Sequence, residues 1–178
     1  MHVAIGERQL ELRLADITTL EVDVIVNAAN AALAGGGGVD GAIHRRGGPQ
    51  IMEACLAIGG CTTGDSVVTP AGNLKAQWVV HAVAPRYRGR PEDAHLLRSA
   101  YESALRHAEE LKAASVAFPS LGTGAYGYPI TDAAEIALDS VVNHLRRESS
   151  ITTVTFALFS EEDLRIYEEM LTRLLSQP

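Results

Sequence analysis

Residues 22–29, Val-Asp-Val-Ile-Val-Asn-Ala-Ala, form a nearly continuous apolar, β-branched run, the pattern of a strand covered on both faces. Similar runs recur at 66–70, 77–84, 115–119 and 152–159. Helical patterns occupy 39–58, 93–112, 131–147 and 161–175, the last with Leu164, Tyr167, Leu171 and Leu174 at helical spacing. Strands that alternate with helices call for a largely parallel sheet with helices on both faces. Residues 9–15 instead alternate polar and apolar, which predicts an outer strand with one wet face and makes the sheet mixed. The expected fold is therefore α/β, three layers in the order α/β/α around a central mixed, largely parallel sheet. At 178 residues, one domain over 1–178 is expected.

Composition narrows the functions open to such a chain. The 47% hydrophobic and 21% charged fractions are those of a soluble globular protein. No apolar run approaches the roughly 18–20 residues that cross a bilayer, and Met1-His2-Val3-Ala4 lacks a signal-peptide start. A cytoplasmic protein without a membrane partner is expected. Cys55 and Cys61 match no disulfide framework or zinc spacing and read as buried structural thiols. The net charge of −7, from 15 basic and 22 acidic residues, argues against general nucleic-acid binding. An anionic ligand would need locally aimed N–H groups.

Two loops offer them. In open α/β sheets ligands bind beyond the carboxyl ends of the strands, and the stretch Asn27 to Asp40 follows a central strand and carries four successive glycines, Gly35 to Gly38. Such a loop lets backbone N–H groups converge, and a helix opening at Val39-Asp40 adds its positive end. In that helix Asp40 and His44 share a face one turn apart. The second loop, Phe118 to Pro129, has three glycines and two tyrosines between a strand and a helix. Together the two could hold the two halves of a pyrophosphate. The usual Gly-x-Gly-x-x-Gly fingerprint and the Walker Gly-Lys-Ser/Thr loop are both missing, so neither an ordinary dinucleotide-binding domain nor a nucleoside triphosphatase is indicated. Scattered histidines, and two loops without a carboxylate cluster, call for no metal or other cofactor.

Ala15-Asp16-Ile17-Thr18, Val24 to Asn30, Gly35 to His44 and Ser120 to Pro129 resemble the macrodomain family nearly end to end, in particular its MacroD-like branch. The resemblance implies binding of ADP-ribose and hydrolysis of O-acetyl-ADP-ribose and of mono-ADP-ribose esters on acidic side chains. Mono-ADP-ribosylated proteins are the implied partners. It implies that Asp16 accepts from the adenine amino group, that the Ile17 backbone supports the same base, and that Phe159 lies against the adenine ring. It implies a pyrophosphate held by Gly36, Gly37, Gly38 and Val39 and by Ser120, Leu121, Gly122, Thr123, Gly124, Ala125 and Tyr126, with Tyr126 over the distal ribose. Asn30 and Asp40 would flank that ribose as the catalytic pair. Ala15, Ala84-Pro85 and Leu121-Gly122 depart from the usual family residues, affecting affinity more than ligand class.

Ester hydrolysis needs a positioned water, a group that orients or deprotonates it, and stabilisation of developing charge. Asp40 is expected to orient the water, with either a pKa raised by burial and nearby phosphates or a ligand phosphate oxygen sharing the task. Metal-independent hydrolysis is the expected reaction. A reader that binds ADP-ribose without turnover, and a phosphatase for ADP-ribose 1-phosphate, are the alternatives.

Plainer readings stand beside these. Asp16 could cap a turn, and Asp40 could be a first-turn helix acid. Asn27 is expected to be mainly a turn residue satisfying backbone groups at the strand end, His44 to brace the loop, His81 to be a hydrogen-bonded core residue, Tyr128 to pack, and Arg45-Arg46 to be solvated.

Overall fold

The computed structural model describes residues 1–178. Seven strands, β1 (His2–Ile5), β2 (Arg8–Leu14), β3 (Val24–Ala28), β4 (Ser66–Pro70), β5 (Trp78–Ala82), β6 (Ser115–Phe118) and β7 (Thr153–Leu158), form one sheet in the order β1-β2-β7-β6-β3-β5-β4. The neighbours from β2 to β5 run parallel, and an antiparallel strand closes each edge. The helices are α1 (Gly38–Gly47), α2 (Pro49–Ile58), α3 (Pro91–Glu110), α4 (Ile130–Leu145) and α5 (Glu161–Leu175).

Alternate residues of the buried strands serve opposite faces. Val24, Val26, Val80, Phe118 and Phe156 join α3, α4 and α5 in one core. Ile25, Val79, Ala117 and Ala157 join α1 and α2 in the other. The three-layer α/β/α architecture and mixed sheet are as expected. At the centre of the larger core Tyr101, Phe118, Phe156 and Tyr167 form a chain of rings, with centroids 5.4 Å, 5.7 Å and 5.3 Å apart in that order. Truncating a ring such as Phe156 to alanine would cost about 3–5 kcal/mol.

Two expectations need correction. The alternating strand is β2, which is not outermost: β1 pairs with it from His2↔Glu11 to Ile5↔Arg8. Its alternation reflects one covered face, where Leu10 and Leu12 are buried, and the outer strand is only four residues long, too short to show a period. The single helix expected over 39–58 is two helices. Gly48, at φ 84°, takes a conformation that ends α1, and Pro49 opens α2.

Because β2, β3, β5, β6 and β7 are parallel, the segments after Leu14, Ala28, Ala82, Phe118 and Leu158 emerge along one edge of the sheet. Ala15 N–H donates to Leu158 O at 3.1 Å, which sets the Asp16 turn beside Phe159.

Candidate active site

That edge holds a cleft of about 530 Å³. The loop after β3 contributes Asn30, Gly36, Gly37, Gly38, Val39 and Asp40, and the loop after β6 contributes Ser120, Gly122, Thr123, Gly124, Ala125 and Tyr126. Phe159 lies at the other end, 64% exposed. A large aromatic left that open is a ready surface for a flat ring.

The glycine loop runs into the start of α1. Gly37 is the N-cap and no side chain caps it, so the first-turn N–H groups lack side-chain and intrahelical partners and carry the helix's positive end. Gly38 has φ 58°, a left-handed conformation that explains a glycine here. Gly41 is required for a different reason: a Cβ there would sit 2.6 Å from Gly36 O, so the helix and the loop touch backbone to backbone.

Asp40 is 7% exposed. Its Oδ1 accepts from Asn27 Nδ2 at 2.7 Å and lies 3.4 Å from His44 Nε2. Its Oδ2 is buried without a hydrogen-bond partner and faces the glycine loop, 3.6 Å from where a Cβ of Gly36 would stand. The helical spacing of Asp40 and His44 thus brings them together as expected, and His44 contacts the carboxyl group more than the loop.

Asn27 corrects its expected role as a turn residue. It lies within β3, wholly buried, and its amide also donates to His81 Nδ1 at 3.0 Å. His81 Nδ1 then accepts and its Nε2 carries the proton, which it donates to Thr69 Oγ1 at 2.8 Å. Burial, with a smaller push from the charge of His44, lowers the His81 pKa to about 4, so the ring is neutral in this chain of bonds. His81 is the hydrogen-bonded core residue expected. Burial, and secondarily Asp40, raises the Cys55 thiol to about 11, which makes it the inert core thiol expected. Cys61 is only half-buried, a correction for that residue.

Asn30 does what was expected of Asn27. Its Nδ2 donates to Gly35 O at 2.9 Å and its Oδ1 accepts from Ala34 N–H at 3.1 Å, closing the loop on itself while the residue still lines the cleft. The second loop is tied to the aromatic core: Leu121 N–H donates to Tyr101 Oη at 2.8 Å, and Tyr167 Oη donates to Ser120 Oγ at 2.7 Å. Burial pushes the Tyr167 hydroxyl up to about 12 and that of Tyr101 well above its ordinary range, so both stay protonated. Leu121 is fully buried and absent from the cleft wall. Tyr128 packs on Tyr87 at 4.8 Å as expected, and Tyr126 takes the Arg86 guanidinium 4.7 Å from its ring centre.

Asp16 and Ile17 lie outside the cleft lining. Asp16 Oδ1 accepts from Thr18 N–H at 2.9 Å and Thr18 Oγ1 at 2.6 Å, capping the 3-10 turn Ile17–Thr19. The Thr18 hydroxyl is the largest cause of its lowered pKa, with the charges of Arg46 and Arg45 adding to it. Both arginines are exposed. The cap reading of Asp16 holds, and Oδ2 stays available to a donor. Ile17 is 2% exposed, which leaves its backbone as the part that can serve a ligand.

Sequence reasoning missed Ala157, Leu158 and Asp163 in the wall. Asp163 carries the one legible signal, an acid in the first turn of α5 after Ser160, whose Oγ caps that helix. No group of three or more His, Cys, Asp or Glu side chains is assembled to hold a metal ion, and no helix is long and apolar enough to cross a membrane.

The Macro domain family model matches residues 26–137. A protein of Salmonella gallinarum named O-acetyl-ADP-ribose deacetylase is 47% identical over 175 residues, 96% of this chain and 98% of that one. A macro domain-containing protein of Chlorobaculum tepidum is 49% identical over 158 residues, 88% of this chain and 92% of that one. A solved variant of the Oceanobacillus iheyensis macrodomain with ADPR superposes with a TM-score of 0.94 at 39% identity, covering 99% of each chain. The Trypanosoma brucei macrodomain in complex with ADP-ribose superposes with a TM-score of 0.85 at 38% identity, covering 90% of this chain and 68% of that one. The glycine loop, the buried carboxyl group behind it and these likenesses agree, and the chain belongs to the macrodomain family.

Proposed function

We propose that this protein is a single-domain, ADP-ribose-binding hydrolase that cleaves O-acetyl-ADP-ribose and mono-ADP-ribose esters on protein carboxylates. The observation that carries the reading is the Asp40 carboxyl group, gripped by Asn27 on one oxygen and unbonded on the other, directly behind an uncapped helix start. The deacetylase relatives at 47% identity over nearly the whole chain support the same reaction.

In this reading the diphosphate takes the N–H groups of Gly36 to Val39 and of the Ser120 to Tyr126 loop, with Leu121 as that loop's anchor. Phe159 stacks on adenine, and Asp16 Oδ2 accepts from its amino group with support from the Ile17 backbone. Asn30 and Tyr126 hold the distal ribose. Asp40 Oδ2 accepts a hydrogen bond from the attacking water. The water oxygen bonds to the ester carbonyl carbon, the carbon–ribose oxygen bond breaks, and the ribose oxygen leaves as a hydroxyl with a proton that came from the water. Ligand phosphate shares the transient proton with Asp40. In this reading the protein acts in the cytoplasm and the hydrolysis is metal-independent.

The test is single-turnover hydrolysis of O-acetyl-ADP-ribose by the wild type and Asp40→Ala, with ADP-ribose affinity of both measured by calorimetry. Turnover at least about 100-fold slower in a variant that still binds is expected. Tight binding without wild-type turnover would make the protein a reader, and phosphate release from ADP-ribose 1-phosphate in place of acetate release would make it a phosphatase.

A further inference from the structure

A second depression, of about 630 Å³, adjoins the first, and Asn30, Ala84 and Tyr126 line both. Asn30 and Tyr126 are the residues assigned above to the distal ribose, so this depression begins where the group esterified to that ribose emerges. Its outer wall is the segment after β5, carrying Arg86, Arg88 and Arg90.

These three arginines are exposed. The ion-paired arginines of the protein are Arg13, Arg98 and Arg165, and none of the three in the wall is among them. Two acids stand near. Glu92 is exposed. Asp93 is buried, and its Oδ2 accepts from the backbone N–H groups of Arg88 at 2.8 Å and Arg90 at 3.1 Å. Asp93 therefore shapes the segment through its backbone and forms no ion pair with a guanidinium group. A protein of net charge −7 thus gathers three arginines at one end of its cleft, Arg86 held over the Tyr126 ring and Arg88 and Arg90 outside every ion pair of the protein.

Guanidinium forks match carboxylates in a paired, planar geometry. A short acidic segment suits a bounded depression, whereas a long polyanion would meet the repulsion of the acidic surface beyond it. We propose that this arginine-walled depression seats the carrier: the acidic peptide segment that flanks the carboxylate to which ADP-ribose is esterified. The inference rests on the reading of the first cleft as the ADP-ribose site, and it makes Arg88 and Arg90 determinants of which modified proteins are chosen.

The experiment measures affinity, by fluorescence anisotropy at low salt, for peptides bearing ADP-ribose through a non-hydrolysable linkage. One peptide has glutamates on both sides of the modified position and the other has glutamines. The wild type is expected to bind the acidic peptide about tenfold more tightly than the neutral one. Arg88→Gln/Arg90→Gln should abolish that difference while binding free ADP-ribose as the wild type does. The backbone N–H bonds to Asp93 survive these substitutions, and the unchanged ADP-ribose affinity reports an intact fold. Equal wild-type affinity for both peptides, or a preference that survives in the double variant, would overturn the proposal. So would an arginine-dependent gain seen only with an ADP-ribosylated oligonucleotide end. Failure of the wild type to bind free ADP-ribose would instead overturn the underlying reading of the cleft.

Discussion

Asn27 and Asp40 stand thirteen positions apart in the chain and meet at 2.7 Å, side chain to side chain, with both residues buried. The asparagine comes from the end of a central strand and the aspartate from the first turn of α1, so this one bond fixes the helix start to the sheet. Asn27→Ala leaves a buried carboxyl group without its best donor, at about 1–3 kcal/mol of stability. A double-mutant cycle with Asp40→Ala, read by urea unfolding, should give a coupling of similar size. Additive losses would mean that the bond contributes nothing of its own.

Asp16→Ala should weaken ADP-ribose binding by about 1–3 kcal/mol if Oδ2 receives the adenine amino group. The same change removes the cap on Thr18, so a control is needed. Thr18→Val deletes the hydroxyl partner and keeps the carboxylate, and calorimetry should find most of the affinity retained. Equal affinity loss in both variants would assign Asp16 to the turn alone.

Gly41→Ala brings a methyl group against Gly36 O, at 2.6 Å in the unshifted structure. Alanine is the better helix former by about 1 kcal/mol, so a purely local account predicts a more stable protein. The expected result is the reverse for function: the glycine loop is displaced and ADP-ribose affinity falls at least about tenfold. Calorimetry beside thermal unfolding separates the two effects.

His81, held near pKa 4 by burial, makes stability depend on pH. The unfolded chain binds a proton at about pH 6.5 that the folded ring refuses, so folding stability is fully present above that value. It declines as the pH falls from 6.5 toward 4, by about 3 kcal/mol in all. Urea unfolding at several pH values should give this slope for the wild type and a flatter one for His81→Gln.

The layers of the fold and the two ligand loops were legible because they depend on local pattern: strand-like apolar runs, helical spacing and glycine clusters leave marks within a few residues of one another. The exchange of roles between Asn27 and Asn30 left no such mark. Both are asparagines at a strand end, and what separates them is that Asn27 faces His81 on the neighbouring strand, in register through the Asn27↔His81 pairing. Likewise Gly48 could not be told from a tolerated helical glycine until its φ of 84° was known. The wall of Arg86, Arg88 and Arg90 left no mark in the sequence, because spacing alone does not say which side chains border the same depression.

The bonds from Tyr101 and Tyr167 to the Ser120–Leu121 segment set how the protein fails. Those hydroxyl groups belong to the most deeply packed rings of the larger core, so the ligand loop has no private melting transition. On heating, binding competence and near-ultraviolet ring signals should vanish together, in one cooperative step, and a substitution that loosens the rings weakens the grip on ligand from a distance.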